Sequence, residues 1–524
     1  MSKVAALVSD HLDIWTAATE RKNGAGRGGG KRMSLYGVER LRALIFDLAA
    51  AGRLEGNPNA APEPLGKHVD LVMGQAPPGS ACNTTGVGTA FVKTGEFGPF
   101  YPEVREWTTK PLKMAQAGDV LICVVGATIG KLNLAIDCAI GRSVAAVRPK
   151  SSLYTRYLYY ALMPYTLRLR RDARGSAQGV IGKSELNAVT IRVPSLKEQQ
   201  QIVAKVDELM ALCDALEGES AAALAAHQTL VEALLATLVN SVDAVDLAAN
   251  WSRLEAHFDT LFITEASVDA LKQTVLELAV RGKLVGQDDS DRPAADLIAS
   301  WQGAKQEKLE QGGDRRVKTA EAPAQPPFPL PLHWAIQSFE NVFLFIDYRG
   351  NTPPKTEDGI PLITAKNIRM GYLNREPREF VSLATYKSWM TRGFPKVGDL
   401  FFTTEAPLGN ICLNDIEEPF AIAQRAICLQ PYGEANTRFL AIAIMSRSMQ
   451  RVIDEVATGM TARGIKAGKL KTIALPIPPA AEQERIVAKV DELLALCEDI
   501  RAQIGKAGQT QMCLADAIVE RVAA

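Results

Sequence analysis

Two short stretches of this 524-residue chain gather long hydrogen-bond donors beside glycines, a combination suited to gripping phosphate. The first, LRLRRDARGSAQGVIGK at 167–183, sets Arg168, Arg170, Arg171 and Arg174 ahead of a Gly-rich loop that carries Gln178 and Lys183. The second, TGMTARGIKAGKLK at 458–471, holds Thr461, Arg463, Lys466 and Lys469. Arginine and lysine donate to phosphate oxygens, glutamine and threonine reach base edges, and glycine lets the backbone come close without a Cβ in the way. Arg142 in AIGRS and Gln424-Arg425 in AIAQRA stand at similar depth in two globular stretches. FVKTGEF (91–97) and ITAKNIR (363–369) read as strands, each with one lysine, Lys93 and Lys366. The expectation is a surface laid against a DNA duplex, with arginines mostly on phosphates and Gln178, Gln424 and Thr461 near bases.

Catalytic patterns fail one by one. GAGRGGGKR (24–32) approaches a nucleotide-binding GxxxxGK[ST] loop, but Ala25 takes the first glycine position, Arg32 the Ser/Thr position, and no strand precedes it. It reads instead as a basic loop in a helical segment. QPPF (325–328) is close to the tetrapeptide with which amino-methyltransferases hold their target amine, yet Gln325 replaces the required Asn or Asp within a Pro-rich stretch. The eight cysteines form no CxxC pair and the five histidines no HExxH, so no metal site or disulfide framework is expected, and free thiols suit a reducing cytoplasm. No run of 18 uncharged apolar residues appears, which argues against a membrane span, and the acids in MSKVAALVSDHLDIW argue against a signal peptide. No catalytic, cofactor or metal residue is assigned.

The positioning elements emerge from self-similarity. KEQQQIVAKVDELMALCDAL (197–216) returns as AEQERIVAKVDELLALCEDI (481–500), and LRALIFDLAAAGRLEG (41–56) as LKQTVLELAVRGKLVG (271–286). Net charge is zero, but residues 67–196 carry 16 Lys/Arg against 8 Asp/Glu and residues 332–479 carry 17 against 14, so the acidic excess lies in the helical remainder. A polyanion is attracted to the first and repelled by the second. Gly-Asp turns at 118–119 and 398–399 open apolar runs of β type. The long helices show a heptad seam, Ile202, Val206, Leu209, Cys213 and Leu216, repeated as Ile486, Val490, Leu493, Cys497 and Ile500. The same count extends to Ala223, His227, Leu230 and Leu234, and to Gln511, Leu514 and Ile518.

The expected fold is α+β: two mixed α/β target-recognition domains separated by an antiparallel two-helix coiled coil in a circular pseudo-twofold repeat. The boundaries are 1–57, an N-terminal helical segment pairing with the C-terminal helix; 58–196, the first domain; and 197–287, a central helical spacer. A Pro-rich linker at 288–331, the second domain at 332–480 and a C-terminal helical spacer at 481–524 follow. At ~1.5 Å per residue, residues 198–240 make a bar of ~65 Å, nearly two turns of duplex.

The doubled EQxxIVAKVDEL motif (198–209 and 482–493), the LAxxGxL helix ends (48–54 and 278–284) and the GDVLICVVGATIGK and GDLFFTTEAPLGN segments resemble the specificity subunits of type I restriction–modification enzymes. The resemblance spans nearly the whole chain. It implies a non-catalytic subunit that reads a bipartite, asymmetric site in double-stranded DNA. It further implies docking of two methyltransferase (modification) subunits, which hold S-adenosylmethionine, and joining by two restriction/translocase subunits. The location implied is cytoplasmic and nucleoid-associated through DNA, with no membrane partner. The rival readings are a single-chain methyltransferase or nuclease with its own recognition domains, and a coiled-coil adaptor without DNA. Glu217, Glu219, Glu232, Asp499 and Asp516 are candidate docking contacts on the long helices.

Overall fold

A computed structural model describes residues 10–22, 32–54, 61–172, 180–311, 328–348, 352–459 and 463–523. The chain falls into two compact units, residues 1–225 with 505–524, and residues 226–504.

In the first unit a short antiparallel pair, Glu20–Lys22 with Arg32–Ser34, flanks the glycine-rich stretch that was expected as a loop within helix; residues 23–31 lie outside the described residues. Helix α1 (Tyr36–Ala50) follows. Then come β1 (Val69–Met73), β2 (Thr89–Val92), β3 (Glu106–Thr108), β4 (Val120–Cys123), β5 (Leu132–Leu134), β6 (Cys138–Ile140) and β7 (Val144–Pro149). Strands β5-β4-β7-β1 form an antiparallel sheet, and β6 runs parallel to β2 in a second sheet with β3 on the far side of β2. Helices α2 (Thr155–Asp172) and α3 (Lys183–Ala188) lead to the 45-residue α4 (Leu196–Asn240).

In the second unit the end of α4 and the helices Ala244–Glu255 and Phe258–Leu261 precede α5 (Glu265–Val280) and α6 (Ala294–Gln311). Its strands are β8 (Phe343–Asp347), β9 (Ile360–Ile363), β10 (Ile368–Arg369), β11 (Tyr372–Leu373), β12 (Phe380–Val381), β13 (Leu400–Thr403), β14 (Ile411–Leu413), β15 (Ala421–Ile422) and β16 (Ala426–Pro431). Helices α7 (Thr437–Met445), α8 (Arg447–Glu455), α9 (Ala467–Lys471) and α10 (Ala480–Ala523) complete it. The sheet order β8-β16-β13-β14 and the parallel β9/β15 pair reproduce the arrangement of the first unit. Each unit is therefore mixed α/β.

The unbroken apolar runs in β4 and β13 follow from burial on both faces. Side chains alternate across a strand. Val120 and Ile122 enter the core shared with the helices, whereas Leu121 enters the core under the second sheet. Leu400 and Phe402 divide from Phe401 in the same way. The Gly-Asp turns precede these strands as the sequence suggests. Gly118 and Gly398 adopt φ of 98° and 89°, and each aspartate accepts a backbone N–H three residues before it, Gln116 to Asp119 at 2.9 Å and Lys396 to Asp399 at 2.7 Å.

Residues 288–331 are not linker throughout, because 294–311 fold as α6. Ala294, Leu297, Ile298 and Trp301 recur at helical spacing and bury one face, and Trp301 Nε1 donates to the carbonyl of Glu434 at 2.9 Å. The Pro-rich residues 312–327 lie outside the described residues.

On α4 the first half of the seam is buried, with Ile202, Val206, Leu209 and Cys213 each at 1% exposure or less. On α10 Ile486, Val490 and Cys497 are buried, while Leu493 and Ile500 are half-buried. Further along, the expected register holds at Ile518 but slips by one residue elsewhere. Leu230 and Leu514 are exposed at 53% and 43%, while Val231, Leu235 and Leu238, and likewise Ala515, Ile518 and Val519, are buried. A straight helix drifts about 20° per heptad against a strict seven-residue repeat, so a seam counted in sevens walks off the buried face. The second half of α4 is apolar enough, at mean hydropathy 1.5 over 18 residues, to meet a length-and-composition test for a membrane span. Its buried stripe packs on Leu254, Leu261 and Leu271 of its own unit. Leu238→Ala should lower the stability of the chain by about 2–5 kcal/mol, and Leu230→Ala by no more than about 0.5 kcal/mol, measured by denaturant unfolding. Equal losses would restore the heptad count.

Candidate nucleic-acid interface

In each unit three backbone segments are sewn into one rim. In the first, Val124 N donates to Ser143 O at 2.9 Å and Ile181 N donates to Val124 O at 2.9 Å, while Val125 and Val180 form an antiparallel bridge. In the second, Thr404 N donates to Arg425 O at 3.0 Å and Ile465 N to Thr404 O at 2.9 Å, with Glu405 bridged to Gly464. The turn at 141–143, the loop after β4 and the approach to α3 thus correspond to 423–425, the loop after β13 and the approach to α9. A fourth segment joins through Gly141 N to Val92 O at 3.0 Å, and Ala423 N to Ile363 O at 2.8 Å.

These bonds bring together candidates far apart in sequence. Arg142 and Lys183 are exposed on the first rim. Lys93 is half-buried: its Nζ reaches Glu106 Oε1 at 2.6 Å, and its Cγ stands 3.1 Å from the position a Cβ on Gly141 would take. On the second rim Gln424 is half-buried, and Arg425, Arg463, Lys466 and Lys469 are exposed. Arg425 pairs with Glu405 at 2.6 Å and Arg463 with Asp454 at 2.8 Å. Arg425 also has φ of 73°. A non-glycine residue there costs on the order of 1 kcal/mol, so the turn is held by its surroundings rather than by its own preference. Lys366 is exposed, with Nζ 3.7 Å from Glu379.

Lys93 and Lys366 were expected within strands, but β2 ends at Val92 and β9 at Ile363, leaving both in the turns that follow. The register of β2 on β3 makes Glu106 the counterpart of Glu379, so each lysine meets the equivalent acid of the neighbouring strand. No spacing in the sequence signals that, because strand pairing creates it. Arg168 is exposed on α2, apart from these rim bonds. Arg170 and Arg171 lie in the helical backbone of α2, with side chains outside the described residues, as are Arg174, Gln178 and Thr461 altogether.

The shared rim also shows which positions correspond. Arg142 matches Gln424, Ser143 matches Arg425, and Gly182 matches Lys466. The two rims are built alike and carry different side chains. Among the described candidates the arrangement offers hydrogen-bond donors and fixed positive charge, which suit anionic ligands.

The acidic residues considered for docking are partly engaged. Asp516 pairs with Arg40 at 2.6 Å and accepts from Tyr36 Oη at 2.9 Å; burial, together with that bond to the carboxylate, drives the Tyr36 hydroxyl up to about 12. Glu217 pairs with Arg42 at 3.0 Å, and Glu232 accepts from Gln228 at 2.7 Å. Glu219 and Asp499 are exposed.

A family model described as "Type I restriction modification DNA specificity domain" matches residues 108–226 and 355–506. The type I restriction enzyme EcoAI specificity subunit of Escherichia coli is 28% identical, over 99% of this chain and 99% of that protein. The EcoEI specificity subunit of Escherichia coli is 27% identical with the same coverage. The crystal structure of the HsdS subunit from Thermoanaerobacter tengcongensis matches at 30% identity and a TM-score of 0.31, covering 42% of this chain and about half, 51%, of that one.

If the rims hold phosphates, Lys183→Ala and Lys466→Ala should each flatten the slope of log K against log salt for duplex binding by about one unit. Unchanged affinity and slope in both variants would remove these lysines from the interface.

Proposed function

Since this chain belongs to the family of type I restriction–modification DNA specificity domains, we propose that it reads DNA sequence for such a system, each α/β domain reading one part of a bipartite target. The carrying observation is the doubled rim, the same backbone scaffold with unlike residues at matched positions: Arg142 against Gln424, Ser143 against Arg425 and Gly182 against Lys466. Equal scaffolds dock on phosphates in equal ways, and unlike side chains read unlike bases. An asymmetric target follows.

The domains run over 58–196 and 332–480. Arg142, Arg168, Arg170, Arg171, Arg174, Lys183, Arg425, Arg463, Lys466 and Lys469 supply the phosphate contacts, with Lys93 and Lys366 at the margins and Gln178, Gln424 and Thr461 near bases. Residues 197–287 and 481–524 form an antiparallel spacer that sets the distance between half-sites. Segment 1–57 closes the circular repeat against the C-terminal helix; the bonds of Tyr36 and Arg40 to Asp516, and of Arg53 Nη1 to the carbonyl of Ala523 at 2.6 Å, support that reading. Exposed faces of the long helices dock two methyltransferase subunits that bind S-adenosylmethionine, and two restriction subunits join them. The chemistry is theirs, and the complex works in the cytoplasm on the nucleoid.

Seven residues inserted between Ala222 and Asn240 lengthen the helix by about 10 Å, the rise of about three base pairs. The methylated target of the assembled enzyme, mapped by single-molecule sequencing, should then keep both half-site sequences and gain spacing between them. Unaltered spacing would refute the spacer. The chain without its partners should bind duplex DNA but not retain S-adenosylmethionine in equilibrium dialysis; tight retention would favour a single-chain methyltransferase instead.

A further inference from the structure

Beside the second rim a small hairpin exposes apolar side chains among cations. Strands β10 and β11 pair through Ile368 with Leu373 and Arg369 with Tyr372, leaving Met370 and Gly371 as a two-residue tip. Gly371 has φ of 87°, the conformation that closes so short a connection. The hairpin hangs on β14 and the residue before it: Asn410 Nδ2 donates to Ile368 O at 3.0 Å and Gly371 N to Ile411 O at 2.8 Å. Asn410 directly follows the rim loop at 404–409, so hairpin and rim are continuous.

Backbone so firmly tied does not need an exposed apolar tip for its own stability, yet Met370 is 38% exposed and Tyr372 61%. Four cations, Lys366, Arg369, Arg375 and Arg378, surround them in sequence with two acids, Glu376 and Glu379. Arg375 pairs with Asp415 at 2.9 Å and Arg378 with Glu376 at 3.2 Å, at the surface where such pairs exchange readily. An apolar tip fringed by guanidinium groups complements a nucleic acid, whose stacked bases are apolar between two anionic backbones. A two-stranded ribbon also fits a groove.

We propose that hairpin 368–373 is a second DNA-reading element of this domain. Met370 and Tyr372 press against base faces or edges, and the flanking arginines sit on the adjoining phosphates. The inference rests on the DNA-reading function proposed above. The first domain has a counterpart in the Pro-flanked PFYP loop, where Phe100 and Tyr101 are 46% and 57% exposed. There Lys131 Nζ donates to Phe97 O at 2.6 Å, in the place of the Asn410 bond. That loop lacks the cationic fringe, since residues 93–106 set two cations, Lys93 and Arg105, against three acids, Glu96, Glu103 and Glu106, so the proposal is made for the hairpin alone.

The experiment uses the full chain assembled with its methyltransferase subunits, and a duplex that the wild-type assembly selects from a randomised pool. Met370→Ala combined with Tyr372→Ala, both exposed, should weaken binding roughly tenfold, the scale of one lost base–aromatic stack, and leave the salt slope unchanged. 2-Aminopurine placed along the half-site of this domain should lose its binding-induced fluorescence change in the variant. Equal affinity and equal fluorescence in variant and wild type would overturn the hairpin while the DNA-reading function stands. Loss of methyltransferase association with duplex affinity retained would assign the tip to protein docking and likewise overturn it. A wild-type assembly that binds no duplex even at low salt would overturn the function, and the hairpin with it.

Discussion

Each long helix leaves its α/β layer through a first turn that the layer holds by hydrogen bonds, and that hold is the constraint on which the spacer motif depends. The decisive group is a buried glutamine. Gln199 accepts from Tyr154 N at 2.7 Å and donates to the carbonyls of Ser152 and Pro194, both at 2.8 Å. Gln483 stands at the matching place and donates to Pro478 O at 2.9 Å. A buried amide that satisfies its partners fixes one orientation, because any rotation leaves them unpaired at a cost of about 1–3 kcal/mol each. About two turns further on, Asp207 meets Arg156 at 2.7 Å and Asp491 meets Arg438 at 2.6 Å. At the far ends the cation after a left-handed glycine caps the last carbonyls: Lys283 on Val239 and Ser241, Arg53 on Ala523. The EQxxIVAKVDEL and LAxxGxL motifs are thus the two clamps of a long helix.

The two units solve identical packing problems with different residues. Asp119 in its Gly-Asp turn pairs with Arg148 at 2.9 Å. Asp399 has Gln430 at that place, and burial holds its carboxyl above the usual range. Lys308 of α6 then donates to Gln430 Oε1 at 2.9 Å, so the inserted helix returns positive charge to the site. The glutamates of the helix motif diverge as well. Glu198 accepts from Ser195 and is held below the usual range, whereas burial raises Glu482, which accepts from Trp334 Nε1 and Gln287. Only the second unit carries the added segment at 288–334, and these substitutions accommodate it.

Much of this was legible in the sequence because it is periodic or repeated. Doubled motifs revealed two domains and two long helices, and Gly-Asp followed by an apolar run revealed β4 and β13. What escaped was non-periodic or depended on distance. Helix α6 hid behind proline-rich neighbours, although Leu297, Ile298 and Trp301 carry its stripe. Past Leu216 the heptad count placed Ile518 rightly but missed Val231, Leu235, Leu238 and Ala515, because a seven-residue template drifts off the face of an ordinary helix. At the interface, sequence depth set Arg142 beside Gln424-Arg425 and one basic loop beside the other, and only the backbone register resolves the partners: Arg142 with Gln424, Ser143 with Arg425, and Gly182 with Lys466. A one-residue shift is invisible to composition and decisive for which side chain faces a ligand.

The state of the rim donors before binding bears on how such a surface discriminates. Arg425 and Arg463 are already paired, with Glu405 and Asp454. Exposed pairs of this kind contribute little to stability, about 0–1 kcal/mol, but they limit the rotamers of a long side chain. Binding a polyanion exchanges a carboxylate partner for a phosphate or a base edge, so part of the electrostatic gain is offset and part of the ordering cost has been met beforehand. Arg142 and Lys183 form no ion pair among the described residues, so at those two positions no carboxylate has to be displaced.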